Sequence, residues 1–381
     1  MHLTNHDIIE LTAFRRHLHS MPEVSGEEVE TAKEVARFMS ATEPDAIIEG
    51  LGGTGVAVVY DSGKPGPTLL FRSELDALPI EETGTPDYRS TIPGKSHMCG
   101  HEGHMATLAA LGRQFGRQRP SRGRVVLLFQ PAEETGAGAA AVLTDRRFNE
   151  IIPDYSFSLH NFPGLPLGHV WLKPGTANCA SRGLKITFTG RTAHASMPET
   201  GISPVPAIAM LMPSLTALSR GSIGTDDLVL ATVTHAVIGE PAFGIAPGSG
   251  ELWVTLRTMT DAQMQALVDA AEAMVQRVAG ESGLSVALEY HDVFSHCENH
   301  PEAVTLLRDA MDAEAITHEA GEALRASEDF GRFGSVSKSA MYFIGAGENL
   351  PALHNPNYDF PDELIPIGAR IFSRVARDVL G

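Results

Sequence analysis

The chain has 381 residues, 43% of them hydrophobic, and a formal charge of −18 from 29 Lys+Arg against 47 Asp+Glu. That length suggests two or three domains with room for a large core. Acidity spread along the whole chain argues against nucleic acid or an anionic membrane as partner. No segment is apolar over the length of a membrane span, and the polar first ten residues read as neither signal nor transit peptide. Three cysteines make no disulfide framework, so a cytoplasmic location is expected.

Helical patterning opens the chain at residues 5–20. Ser25-Gly26-Glu27-Glu28 has capping-box form and predicts a second helix starting there. Short β-rich runs follow at 56–60, 68–73, 124–130 and 155–160, with helical stretches at about 103–116 and 136–144, the alternation of an α/β sheet protein. The character changes near Arg182. From there the order is strand (184–190), helix (204–219), strand (228–235), strand (251–258), helix (261–280), strand (284–293). That β-α-β-β-α-β order is a split ferredoxin-like unit. We therefore expect an α/β catalytic domain from residues 1–181 and 295–381, with a smaller α+β domain, 182–294, inserted in it. The chain returns to α/β patterning with a strand near 340–344 and a last helix after Pro361.

The densest chemistry is Ser96-His97-Met98-Cys99-Gly100-His101-Glu102-Gly103-His104, one thiol and three imidazoles within nine residues. An adjacent pair, Glu133-Glu134, follows about thirty residues later, and isolated histidines stand at 160 and 354. Thiolate, imidazole and carboxylate are ligands of a borderline metal such as zinc, and a spare carboxylate can act as base toward a metal-activated water. Asp76, Glu133-Glu134 and His160 each fall at or just after a strand end, the edge where α/β sheets gather ligands. Two adjacent glutamates point in different directions, so one can bind metal while the other faces water. His104, on the following helix, need not face the metal. Gly136-x-Gly138 lies too far from its strand for a dinucleotide turn, Gly94-Lys95-Ser96 lacks the first P-loop glycine, and no Gly-x-Ser-x-Gly elbow is present. Cys297 and Cys179 read as structural.

On these residues the chain resembles the zinc aminoacylase–carboxypeptidase superfamily, in the amidohydrolase branch that holds hippurate hydrolase, N-acyl-amino-acid deacylases and auxin-conjugate hydrolases. The landmarks are Arg15-Arg16-His17-Leu18-His19, Arg72-Ser73-Glu74-Leu75-Asp76-Ala77-Leu78-Pro79, the Cys99–His104 run, Gln130-Pro131-Ala132-Glu133-Glu134, Leu159-His160-Asn161, Gly190-Arg191-Thr192-Ala193-His194-Ala195, Thr255-Leu256-Arg257-Thr258, Ser327-Glu328-Asp329-Phe330 and Leu353-His354-Asn355. The resemblance implies that Cys99, His101, Glu134, His160 and His354 bind two divalent metals, zinc first and manganese, nickel or cobalt as alternatives. It implies Glu133 as general base, Asp76 beside the ligands, and His194 on a lid domain that also offers a surface for a homodimer.

Three positions depart from that pattern. Glu74 and Glu102 stand where the family usually has aspartate, and Gly244 replaces an asparagine that could contact substrate. Arg257 is then the remaining cation for a substrate carboxylate. The expected activity is hydrolysis of the amide bond of a small N-acyl amino acid. A dipeptidase or aminopeptidase on the same site is the alternative, and a catalytically silent binding homologue a more distant one.

Overall fold

The computed structural model describes residues 3–222 and 225–381. The chain divides into two units: Met1–Ala177 with Cys297–Glu322 and Glu328–Gly381, and Asn178–His296 with Ala323–Ser327. The second unit is wider at both ends than the expected 182–294, and it takes a short return segment that no composition change marks. Backbone bonding explains the segment, since the Cys179 N–H donates to the Leu324 carbonyl at 3.1 Å.

In chain order the elements are α1 (Asn5–Ser20), α2 (Val29–Ser40), β1 (Ala46–Leu51), β2 (Gly55–Asp61), β3 (Thr68–Glu74), α3 (His101–Arg117), β4 (Arg124–Gln130), α4 (Gly138–Thr144), β5 (Tyr155–Pro163), β6 (Val170–Trp171) and β7 (Gly175–Asn178). The second unit carries β8 (Ala180–Thr189), β9 (Ala193–His194), α5 (Val205–Thr216), β10 (Val229–Ile238), β11 (Ile245–Ala246), β12 (Ser249–Thr258), α6 (Asp261–Glu281) and β13 (Ser285–Phe294). The first unit resumes with β14 (Cys297–Asn299), α7 (Pro301–Ala313), β15 (His318–Glu319), β16 (Lys338–Gly347) and α8 (Leu364–Leu380).

The first unit is built on an eight-stranded sheet ordered β1-β2-β4-β3-β5-β16-β6-β15. Its centre, β4-β3-β5-β16, is parallel throughout. Every residue of β3 is buried, as a parallel sheet covered on both faces requires; Leu69–Phe71 meet this with apolar side chains, and the buried pair Arg72–Glu74 with each other. Parallel pairing puts the carboxyl ends of four strands on one edge; Glu134 and His354 follow such ends and His160 lies in the second half of β5.

The second unit is a four-stranded antiparallel sheet, β10-β12-β8-β13. Leu184, Ile186 and Phe188 of β8 join Leu252, Val254 and Leu256 of β12 in one core with residues of α5 and α6. Alternate positions such as Lys185 and Trp253 lie on the other, more exposed face.

One local expectation fails. Ser25 does not cap a helix; its hydroxyl donates to Asp76 Oδ2 at 2.6 Å, and α2 begins at Val29 without a side-chain cap. Glu28 accepts instead from the Gly26 and Ala132 N–H groups, each at 2.8 Å. Tertiary partners outbid the local motif. True capping boxes open α1 at Thr4 and α6 at Thr260. The strands β1, β6, β7, β9, β11, β14 and β15 and the helix α7 had no predicted counterpart. Among the described residues no helix is long and apolar enough to cross a membrane.

Candidate metal centre

The candidate ligands of the first unit gather near the carboxyl ends of the parallel strands. Asp76 lies two residues beyond β3, Glu133 and Glu134 follow β4, His160 sits within the last turn-ward residues of β5, and His354 follows β16. Cys99 and His101 flank Gly100, which caps α3 with φ +94°. A side chain there would meet Asn161 Oδ1 at 2.6 Å. Glycine is therefore needed both for the left-handed turn and for the close approach of α3 to β5. Ala132 (φ +48°) and His354 (φ +65°) are also left-handed although they carry side chains. Strain of that kind persists where surrounding contacts over-determine the backbone.

The side chains converge. Cys99 Sγ lies 3.4 Å from His160 Nε2, and His354 Nε2 lies 3.5 Å from Glu134 Oε1. His101 Nε2 is 3.9 Å from both Glu133 Oε2 and Glu134 Oε1. Several groups of three have their donor atoms within 4.8 Å of one another, His101-Glu133-Glu134 among them; two of these are Cys99-His101-His160 and Cys99-Glu134-His354. They share the sulfur. His101 Nε2 and Glu134 Oε1 are buried and make no hydrogen bond, a costly condition for polar atoms unless a cation satisfies them. Soft sulfur, imidazole and carboxylate suit a borderline divalent ion, so the residues present fit such a metal.

Outer contacts fix the inner ones. His101 Nδ1 bonds to the Asp76 carbonyl at 2.9 Å, and His160 Nδ1 to the Asn161 carbonyl at 2.8 Å. Each ring thereby presents Nε2 inward, the usual arrangement for ligating histidines. Asp76 Oδ2 accepts the Glu134 N–H at 2.9 Å as well as the Ser25 hydroxyl. Burial alone would raise the Asp76 pKa; the bonds from His101, Ser25 and Glu134 outweigh it and keep the carboxylate below its ordinary range. Glu133 goes the other way. Burial, then Glu328, Glu134 and Asp329, push its carboxyl well above the ordinary range. Burial and the neighbouring rings of His104 and His101 lower His160 to about 3, which keeps it neutral and able to ligate.

His104 does not join the ligands. Its Nδ1 bonds to Glu74 Oε2 and its Nε2 to Asn161 Oδ1, both at 2.5 Å. Glu74 in turn pairs with Arg72. Glu102 turns away from the cluster toward His19 at 2.8 Å and Arg15 at 3.3 Å. Both longer carboxylates are thus fully buried partners of cations. Asn161 donates to the Tyr358 hydroxyl at 2.6 Å. Arg72, Asn161, Asp329 and Tyr358 were not assigned roles from the sequence. Three of them lie in its landmark runs, but no spacing rule says that residues 257 positions apart meet. Cys297 is buried, and burial followed by Glu328 drives its thiol far above the ordinary range.

In the second unit His194 is exposed, with Nδ1 2.7 Å from Ser196 Oγ; Ile245 pairs opposite it. Arg257 lies eight residues beyond Ser249 on β12, about 26 Å of strand rise. Its guanidinium is engaged inside the unit, donating to the Arg325 carbonyl and to Ser327 Oγ.

The sequence pattern described as peptidase family M20/M25/M40 matches residues 70–378. An N-acetylcysteine deacetylase of Bacillus subtilis is 26% identical over 372 residues, 97% of each chain. A hippurate hydrolase of Campylobacter jejuni is 28% identical over 370 residues, 96% of each. Among solved structures the Bacillus subtilis YXEP protein, described as a dinuclear metal binding peptidase, has a TM-score of 0.83 at 24% identity, covering 99% of both chains. That likeness is one of fold.

Proposed function

The chain belongs to peptidase family M20/M25/M40, and from that premise we propose that it is a metal-dependent amidohydrolase that cleaves the amide bond of N-acyl amino acids. The observation that carries this reading is the convergence of Cys99, His101, Glu134, His160 and His354, with Glu133 Oε2 beside them, at the carboxyl edge of the sheet. The relatives' names support an acyl amino acid as substrate.

Cys99, His101 and His160 would hold one divalent ion, and Cys99, Glu134 and His354 a second. Zinc suits the shared sulfur best, with manganese, cobalt or nickel also compatible. When bound, such ions supply Lewis acidity and bring the pKa of water from 15.7 down to about 7. The protein's own residues do the rest. Glu133, buried with Oε2 beside His101, takes the proton of the attacking water through Oε2 and passes it to the departing amine. Asp76 fixes the ring of His101 and the backbone of Glu134. His194 is assigned the stabilisation of negative charge on the acyl oxygen. Arg257 is assigned to holding the return segment Ala323–Ser327. The products are a carboxylic acid and a free amino acid.

The test is amine release from N-acetyl, N-benzoyl and dipeptide substrates, with metal-loaded protein, chelated protein and Glu133→Ala. Cleavage of the N-acyl substrates that disappears on chelation and in the variant is expected. Cleavage that survives both, or a preference for dipeptides over every N-acyl amino acid, refutes the reading.

A further inference from the structure

The two oxygens of Glu133 have different surroundings. Oε2 faces the ligand cluster. Oε1 faces away, accepting the Asp329 backbone N–H at 3.4 Å. That N–H opens the 3₁₀ turn Asp329–Ser335, and the Asp329 side chain prevents the turn from shifting. Its carboxylate accepts from Gln130 Nε2 at 2.8 and 2.9 Å, from the Ala139 N–H at 2.8 Å and from Arg72 Nη2 at 2.5 Å.

The placement of these donors is what matters. Gln130 is the last residue of β4 and Ala139 the second of α4, so they bracket residues 131–137, the loop that carries Glu133. One fully buried carboxylate therefore ties both ends of that loop, while its own backbone N–H holds the base at the loop's middle. Arg72 keeps the carboxylate in place, bonding also to Gln130 Oε1 and Glu328 Oε1, each at 3.0 Å.

We propose that Asp329 is a positioning residue for hydrolysis: it clamps the 131–137 loop and turns Oε1 of Glu133 backward, so that Oε2 alone is presented to the reacting water. The inference rests on Glu133 being the base.

Asp329→Ala is expected to lower kcat about 10- to 100-fold, the loss that follows about 1 Å of misplacement of a catalytic group. KM and bound metal per chain should be unchanged. Asp329→Asn keeps one accepting oxygen and turns the other position into a donor, so it should recover part of the rate. A purely structural role would lower stability and metal content without this split between kcat and KM. The proposal is overturned if Asp329→Ala keeps wild-type kcat, if it loses metal in step with activity, or if Asp329→Asn is no better than Asp329→Ala. Should Asp329→Ala not fold, Gln130→Met releases one end of the loop, and kcat should fall several-fold at constant KM; an unchanged kcat overturns the proposal. Failure of the underlying reading looks different: Glu133→Ala would then keep its rate whatever Asp329 does.

Discussion

Gly100→Ala is a sharp probe of how the centre is assembled, because two separable costs meet at that residue. The first is backbone: φ is +94°, and an L-residue in left-handed conformation costs about 1–2 kcal/mol. The second is collision. The new methyl would lie 2.6 Å from Asn161 Oδ1 and 2.9 Å from its Cγ and Nδ2, so Asn161 must move. Its amide is bonded to His104 and Tyr358, both buried, and leaving one such group unpaired costs about 1–3 kcal/mol. The sum is about 2–5 kcal/mol against a typical total of about 5–15 kcal/mol. Because Gly100 separates Cys99 from His101, and the Asn161 carbonyl orients His160, metal affinity should fall about 10- to 100-fold as well. Gly164→Ala is the control, with φ +96° but nothing within 4 Å of the added carbon; it carries the backbone cost alone. Urea unfolding and a metal titration of both variants measure the two terms. If Gly100→Ala unfolds with the midpoint of Gly164→Ala and binds metal like the wild type, the reasoning about Asn161 is wrong.

Two further outcomes follow from the same buried network. Glu74→Gln keeps the shape of a side chain held between Arg72 and His104 but removes its charge. Breaking a buried ion pair from one side costs about 3–5 kcal/mol, so the denaturation midpoint should drop well below that of the wild type; an unchanged midpoint would mean that Glu74 is neutral there. His19 concerns pH. Burial opposes its charge, but Glu102 and Glu82 outweigh burial and raise its pKa to about 9. A pKa raised on folding gives stability that is complete below about pH 6.5 and lost as pH climbs through about 9. Thermal melts across that window should show a decline that His19→Gln flattens, and parallel curves for the two proteins would contradict it.

Most of the candidate site is legible in the sequence because metal chemistry restricts residue types. A thiol and an imidazole two positions apart, an adjacent carboxylate pair and strand ends preceding both could be read without coordinates, and so could the order of elements in the inserted unit. Alternating burial on β8 is a periodic fact, and periodicity survives in one dimension. What failed was local signal overruled from a distance: the Ser25–Glu28 box has perfect capping form, yet Asp76 and Ala132 claim its polar groups.

The chain by itself marked which residues could bind metal, since that is a property of side-chain chemistry and of positions after strands; which of Glu133 and Glu134 is left as base came only from the family resemblance. Only the tertiary structure decided that His104 turns from the cluster to bond Glu74 and Asn161, that Glu102 turns to His19 and Arg15, and that Asp329 reaches across 196 positions of sequence to the oxygen of Glu133. The physical reason is that a buried polar atom must find a partner wherever packing offers one. Which partner that is depends on the parallel order of β4, β3, β5 and β16, and no spacing along the chain records it.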